Sequence, residues 1–440
     1  MEQLFGTLGD AGIDREGLYL AWDFTVASED NLTERLVAMR DDAFAQLGDT
    51  DLGDGVVQGV APDLTDVADT EYILCASDGT PECEQQGGTY PGYDGTGPHN
   101  GNVYTGTSQS DYAFKRVTGT ITVPCYMDPP GQSSNQVDPD VPCAAGSRLH
   151  YDGDADVPSQ NGDETWEAPF TCVLPRTGDG ANQMATGKPG VLFGHGLLQN
   201  HRIAEQLGLF PASLDGVACS TDWIGLSAID PITGALLAHG DINFLVNLLS
   251  DLSLFRALPD RSQQGYVNAL YLARAMVHPD GLAHLPEFDD GAGSALDTDE
   301  EIGYLGVSLG GIFGGATPAV APDWERAVLS VPGMGFTTLL TRSTQFNVFL
   351  PLIYGRYPNP LERQLGISIL QTLWDRGEPS AYVHGITDGR FGTPPHEVMI
   401  HEAFGDHQVA NVQTEALART LGAVVKTPAL APGRSTDVEP

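Results

Sequence analysis

The chain predicts an α/β fold: a doubly wound, mostly parallel sheet with a helical cap insertion, preceded by an irregular, disulfide-tied β-rich region. Three observations lead there. From about residue 186, short apolar runs alternate with stretches of helical periodicity, the order that gives strands joined by crossover helices. Before that point, residues 51–185 are rich in Gly, Pro, Asp, Ser and Thr and hold only short β-like runs. Residues 336–390 are apolar and mostly helical without an obvious strand, which reads as an insertion. A length of 440 residues suggests two or three domains. The expected division is a remnant of an N-terminal β module (1–50), the loop-rich β region (51–185), an α/β domain (186–430) with its cap or lid (336–390), and a tail (431–440).

Taken in order, Leu18–Val26 alternates as a strand, and Ser28 opens a helix over Asn31–Gln46 with Leu32, Leu36, Met39 and Phe44 as its apolar positions. A lone strand cannot bury its face, so this start reads as the end of a module lying upstream. Glu71–Cys75, Phe114–Pro124 and Phe170–Pro175 are the β-like runs of the next region. Beyond residue 186, Gly190–Gly196 and Val217–Cys219 read as strands, followed by helices over Leu245–Leu258 and Gln263–Val277. Ile302–Val307, Arg326–Val331 and Glu397–His401 are further strands. Asn411–Leu421 is a helix that stops at Gly422.

Composition narrows the function. Acidic residues outnumber basic ones 59 to 21, giving a net charge of −38, and only three of the basic residues are lysines. That balance argues against nucleic acid or an anionic membrane as partner. No run approaches the length of a membrane span, and Met1–Phe5 lacks the basic start and apolar core of a signal peptide. The six cysteines form no C-x-x-C pair. Their even number in loop-rich sequence points to disulfides and an oxidising compartment, hence a secreted, periplasmic or cell-surface protein. Near-neighbour pairing gives Cys75–Cys83 and Cys125–Cys143 and leaves Cys172 for Cys219. Asp152, Asp154 and Asp156, with Asp163 and Glu164 beyond, are spaced like the start of a calcium loop. Val157 and Asp163 replace the glycine and glutamate an EF-hand requires, which leaves a looser Ca2+ site or a plain acidic loop.

The chemistry centres on Tyr304–Gly315. Gly306-Val307-Ser308-Leu309-Gly310 has the form G-x-S-x-G, led in by an apolar strand and followed by a small-residue helix. This is the layout of a nucleophile elbow, a sharp turn that lifts a serine hydroxyl above the sheet edge. A serine is a poor nucleophile at neutral pH and needs a base, a group to orient that base, and donors for the oxyanion. The amides of Leu309 and of Leu197, after His195-Gly196, are the candidate donors. His195 reads as a structural member of its turn. Asp406, on the loop after the Glu397–His401 strand, is the candidate acid, and Asp388 a weaker one. Trp223, just after a strand, either lines the pocket or packs.

At these residues the chain resembles the α/β-hydrolase superfamily, and among its members the secreted bacterial lipases and esterases with extra N-terminal β modules. The resemblance spans about residues 186–422 and rests on Phe193–Leu197, Gly306–Gly310, and Gly405–Val409 with the helix that follows. It implies Ser308 as nucleophile, Asp406 as acid and a Leu197/Leu309 oxyanion hole, with the base expected on a histidine after the acid. The chain departs from the pattern there, since no histidine follows His407. Three readings stand: a base on a C-terminal piece beyond this sequence, both ends then being cut; His407 itself; or an upstream histidine such as His195, His201 or His384. The expected function is a carboxylic-ester hydrolase, with no cofactor required. The apolar insertion (Phe336, Leu339, Leu340, Phe346, Phe349, Leu350, Leu352, Tyr354) reads either as a lid over an acyl pocket, favouring small-molecule, lipid or polyester esters, or as an ordinary helical subdomain with a buried core. A peptidase or amidase on the same fold, and an inactive secreted binding module, are the alternatives.

Overall fold

The computed structural model describes residues 2–19, 21, 26–72, 113–131, 138–177, 183–206, 216–237 and 240–426. Its strands in chain order are β1 (Leu64–Glu71), β2 (Ala113–Pro124), β3 (Met127–Asp128), β4 (Arg148–Leu149), β5 (Thr165–Pro175), β6 (Gly190–Gly194), β7 (Val217–Thr221), β8 (Ile302–Val307), β9 (Trp324–Ser330) and β10 (Glu397–His401). Eight of them form one sheet in the spatial order β1-β2-β5-β7-β6-β8-β9-β10, and β3 pairs with β4 apart from it. From β7 to β10 every pairing is parallel. The α/β expectation holds, and β8 spans the residues its apolar run marked.

The boundary expected near residue 186 falls inside this sheet. The pairings of β1 with β2, β2 with β5, and β5 with β7 are antiparallel, so the loop-rich region supplies the sheet's other half. Cys172 sits opposite Cys219 in the β5–β7 ladder and is bonded to it. Cys125 and Cys143 form the second described disulfide. Both match the expected pairing; Cys75 and Cys83 lie outside the described residues. So do most of the expected Leu18–Val26 strand, the Cys75 end of the expected Glu71–Cys75 strand, and the 431–440 tail.

The helices are α1 (Glu2–Asp10), α2 (Glu29–Leu47), α3 (Ile203–Gln206), α4 (Ile242–Ser250), α5 (Ala257–Val277), α6 (Leu309–Phe313), α7 (Phe336–Leu340), α8 (Leu350–Arg356), α9 (Pro360–Trp374) and α10 (Asn411–Leu421). In α2 the Ser28 hydroxyl accepts the Asn31 N–H, and Gly48 ends the helix in the left-handed region at φ 93°. Its Leu36, Met39 and Phe44 are buried in the main core, and the Phe44 ring meets Tyr271 of α5 edge-on. This segment is therefore part of the same core rather than a detached remnant. The single helix expected over 245–258 is broken, because the Asp251 carboxylate accepts the Ser253 N–H and closes a turn there.

All of α5 is buried, polar residues included, so those side chains must find partners. The Arg261 guanidinium donates to Asp241 (2.8 Å) and to the Cys143 and Ala144 carbonyls. Gln264 accepts the Tyr126 N–H and donates to the Pro124 carbonyl, each at 3.0 Å. Arg274 joins Asp49 (2.9 Å) to Asp323 (3.0 Å). Through these bonds one helix ties the antiparallel and parallel halves together. Between β9 and β10 the cap is helical, as expected; α9 starts with Asn359 accepting the Leu361 N–H and with Pro360 at its first position. Among the described residues no helix is long and apolar enough to cross a membrane.

Candidate active site

In chain order β6 is followed by β7 on one side of it and then, after α4 and α5, by β8 on the other. The winding reverses there, and the crevice outside the carboxyl ends of β6 and β8 is where open sheets of this kind bind ligands. Ser308 is the first residue after β8, with φ 58° and ψ −117°. A serine at such angles is strained by roughly 1–3 kcal/mol, and the surroundings hold it. Its N–H donates to the Ser330 carbonyl (3.0 Å), and its own carbonyl accepts the Ile312 N–H (2.8 Å). Leu198 (φ 62°) and Val331 (φ 48°) are also left-handed at the ends of neighbouring strands. Backbone strain is thus concentrated at this edge.

The glycines of the elbow are required by contact distances. A Cβ on Gly306 would lie 2.1 Å from the Gly310 carbonyl oxygen, and one on Gly310 would lie 2.0 Å from that of Gly194. Only glycine lets α6 settle this closely on β6 and β8. The Tyr304 hydroxyl, buried beneath, donates to the Gly310 carbonyl at 2.6 Å and fixes the approach.

The loop after β6 meets Ser308 from the other side: a Cβ on Gly196 would stand 4.0 Å from Ser308 Cβ. His195 shapes that loop. Its Nε2 accepts the Trp223 N–H (2.8 Å), so Nδ1 carries the proton and donates to the Gly196 carbonyl (2.8 Å). Burial pulls this imidazole down to about 4, leaving it neutral at physiological pH. Its ring is engaged at both nitrogens. The Leu197 N–H makes no hydrogen bond among the described residues. Leu309 opens α6, so its N–H lacks an intrahelical acceptor. Leu197, Ser308 and Leu309 line one cleft of about 300 Å³, counting the part open to solvent, and the Ser308 hydroxyl has no partner among the described residues.

Other expected residues fall elsewhere. The Asp406 carboxylate accepts the Gln408 N–H (2.7 Å) and the Val409 N–H (3.1 Å) of its own turn rather than an imidazole. The neighbouring His407 is exposed, its carbonyl accepting the Thr344 N–H (2.8 Å). Adjacent residues of a tight turn point apart, so neither side chain lines the cleft, although Gln408 and Val409 of the same loop do. Trp223 does not line it either; its ring packs edge-on against Tyr266 and Phe313, 6.0 and 5.4 Å between centroids. His201 is bonded to Asp222 (2.8 Å), and His384 lies 3.7 Å from Glu29. Asp388 is bound by Arg390 (3.1 Å). Asp152, Asp154, Asp156, Asp163 and Glu164 are exposed, and among the described residues no three His, Cys, Asp or Glu side chains converge with metal-ligand spacing.

Glu378 escaped the sequence reading, though an acid between Gly377 and Pro379 in an apolar insertion could have flagged it. It is fully buried and accepts the Gly335 and Phe336 N–H groups, both at 3.1 Å, with Gln371 (2.8 Å) and the Ser380 hydroxyl. It thereby fixes the start of α7, whose Phe336, Leu339 and Leu340 wall the cleft. Burial pushes this carboxyl up to about 7; Ser380 pulls the other way, and Asp375 adds to the rise. A carboxyl raised on folding contributes stability below its unfolded value, near 4.5, and loses it as pH rises through 7. Glu378→Gln keeps one acceptor oxygen but cannot ionise, and is expected to remove about 3 kcal/mol of stability change between those pH values. Urea unfolding at pH 4.5, 6 and 8 checks this, and parallel pH profiles for the two proteins would contradict it.

No family model matches this chain, and no curated protein matches it. Among solved structures it is similar to the acetyl xylan esterase from Paenibacillus sp. R4, at 12% identity and TM-score 0.37, over 91% of this chain and 99% of that one. Acetyl xylan esterase 1 from Thermoanaerobacterium sp. JW/SL YS485 overlaps at 10% identity and TM-score 0.36, over 91% and 99%. The Pyrococcus horikoshii acylaminoacyl peptidase overlaps at 12% and 0.35, over 70% of this chain and 41% of that one.

Proposed function

We propose that this chain is a serine hydrolase that cleaves carboxylic esters. The observation that carries the reading is the convergence, on one cleft at the sheet's switch point, of a strained serine with the unengaged amides of Leu197 and Leu309. Ser308 Oγ attacks the ester carbonyl carbon, and its proton passes to an imidazole. The carbonyl oxygen, now an anion, accepts hydrogen bonds from the two amides. The carbon–oxygen bond to the alcohol breaks, the imidazole returns the proton to that leaving oxygen, and an acyl-enzyme remains. Water then attacks it, releasing the acid and restoring the hydroxyl. These steps use protein groups and water alone. His407 is the proposed base, brought to Ser308 by opening of the Asp406–Val409 turn that holds it outside the cleft; Gln408 and Val409 of that turn already line the cleft. The disulfides support an oxidising compartment as its location.

The test is covalent labelling followed by turnover. A fluorophosphonate is expected to modify the peptide holding Ser308 and no other. The protein is expected to hydrolyse p-nitrophenyl butyrate faster than the matching anilide. His407→Ala should lower kcat/KM by about 10²- to 10⁴-fold. An unchanged rate removes His407 from the mechanism, whereas labelling at another residue removes Ser308.

A further inference from the structure

Beside the Ser308 cleft lies a second hollow of about 460 Å³, counting the part open to solvent. Leu197, Phe336 and Phe346 line both spaces, so the two share a wall. Leu248, Phe255 and Trp374 line only the second. Trp374 stands behind Phe336, 4.8 Å between ring centroids, and meets Phe255 at 5.4 Å. Every residue around this hollow is Leu, Phe or Trp.

Such a lining decides what can enter. Water there would forfeit hydrogen bonds, and a sugar hydroxyl or peptide amide would be buried unpaired. A flexible hydrocarbon chain loses nothing by entering. The mouth of the cleft is different, since Gln345 and Gln408 are exposed there. During acyl transfer the alcohol must leave while the acyl group stays bonded to the serine. The polar mouth suits the group that departs, and the apolar hollow suits the group that stays.

We propose that this hollow binds an unbranched aliphatic acyl chain, so that the substrate is a fatty-acyl ester longer than acetate; this rests on Ser308 being the nucleophile of an ester hydrolase. Across p-nitrophenyl esters from acetate to dodecanoate, kcat/KM is expected to rise about fourfold per added methylene. The rise stops once the chain outgrows the hollow. Leu248→Trp fills the space and should abolish the rise. Trp374→Leu enlarges it and should move the break to longer chains, an outcome that a folding defect cannot imitate. A flat chain-length profile in the unaltered protein would overturn the proposal.

Binding separates the hollow from the chemistry. Calorimetric titration of Ser308→Ala with decanoate is expected to show saturable binding, weakened more than tenfold when Leu248→Trp is added. No binding, or binding that a folded Leu248→Trp protein retains in full, overturns the proposal. If Ser308→Ala still hydrolyses esters at the original rate yet binds decanoate in this way, the serine assignment fails and the acyl site stands.

Discussion

Ser308→Ala is expected to lower kcat/KM for a p-nitrophenyl ester by about 10⁴- to 10⁶-fold, with the residual rate coming from oxyanion stabilisation and binding. Alanine keeps the backbone constraint of an L-residue, so the elbow stays strained and stability should not change. Ser308→Gly removes the same hydroxyl and also the cost of holding φ 58° and ψ −117°. Its activity should fall equally, while its stability should rise by about 1 kcal/mol, less glycine's entropic penalty. Measuring turnover and thermal unfolding on both variants separates the two roles of the position. A Ser308→Ala protein within tenfold of the original rate would exclude the mechanism. A glycine variant no more stable than the alanine one would show that the surroundings do not store strain there.

The parts of this site legible in the sequence are those set by local sterics. Glycines at 306 and 310 around a serine, after the apolar run Ile302–Val307, can hardly be accommodated except in a tight strand-to-helix turn. A His-Gly pair closing the Gly190–Gly194 run likewise announced its loop. What stayed hidden depends on long-range pairing. That β5 continues the sheet through β7 is set by a ladder between residues near 172 and near 219, with the intervening chain leaving no periodic trace of it. Trp223 follows a strand as a pocket residue would, but its ring direction is decided by Tyr266 and Phe313, which lie far along the chain. Glu378 looks like an exposed turn acid until Gly335 and Phe336 are found donating to it. Strain at Leu198 and Val331 has no sequence signature, because neither residue type favours positive φ.

Gly310→Ala is the prediction with the largest expected effect on stability. Its added methyl would meet the Gly194 carbonyl oxygen at 2.0 Å and the Gly194 Cα at 2.8 Å. Both are backbone atoms of a strand paired on each side, by β7 and by β8, so no rotamer change can relieve the contact. The helix α6 would have to rise off β6 by about an ångström, and the backbone around Ser308 would move with it. A cost of about 4 kcal/mol or more is expected, in the range of severe core disruption, together with loss of fluorophosphonate labelling. Gly366→Ala in α9 supplies the control. Nothing lies within 4 Å of a Cβ there, so alanine's better helix propensity should raise stability by up to about 1 kcal/mol. If the two substitutions have equal effects on thermal unfolding, α6 does not rest on β6 as closely as described. The oxyanion geometry argued from that contact would then fail with it, because Leu309 is placed by the same turn.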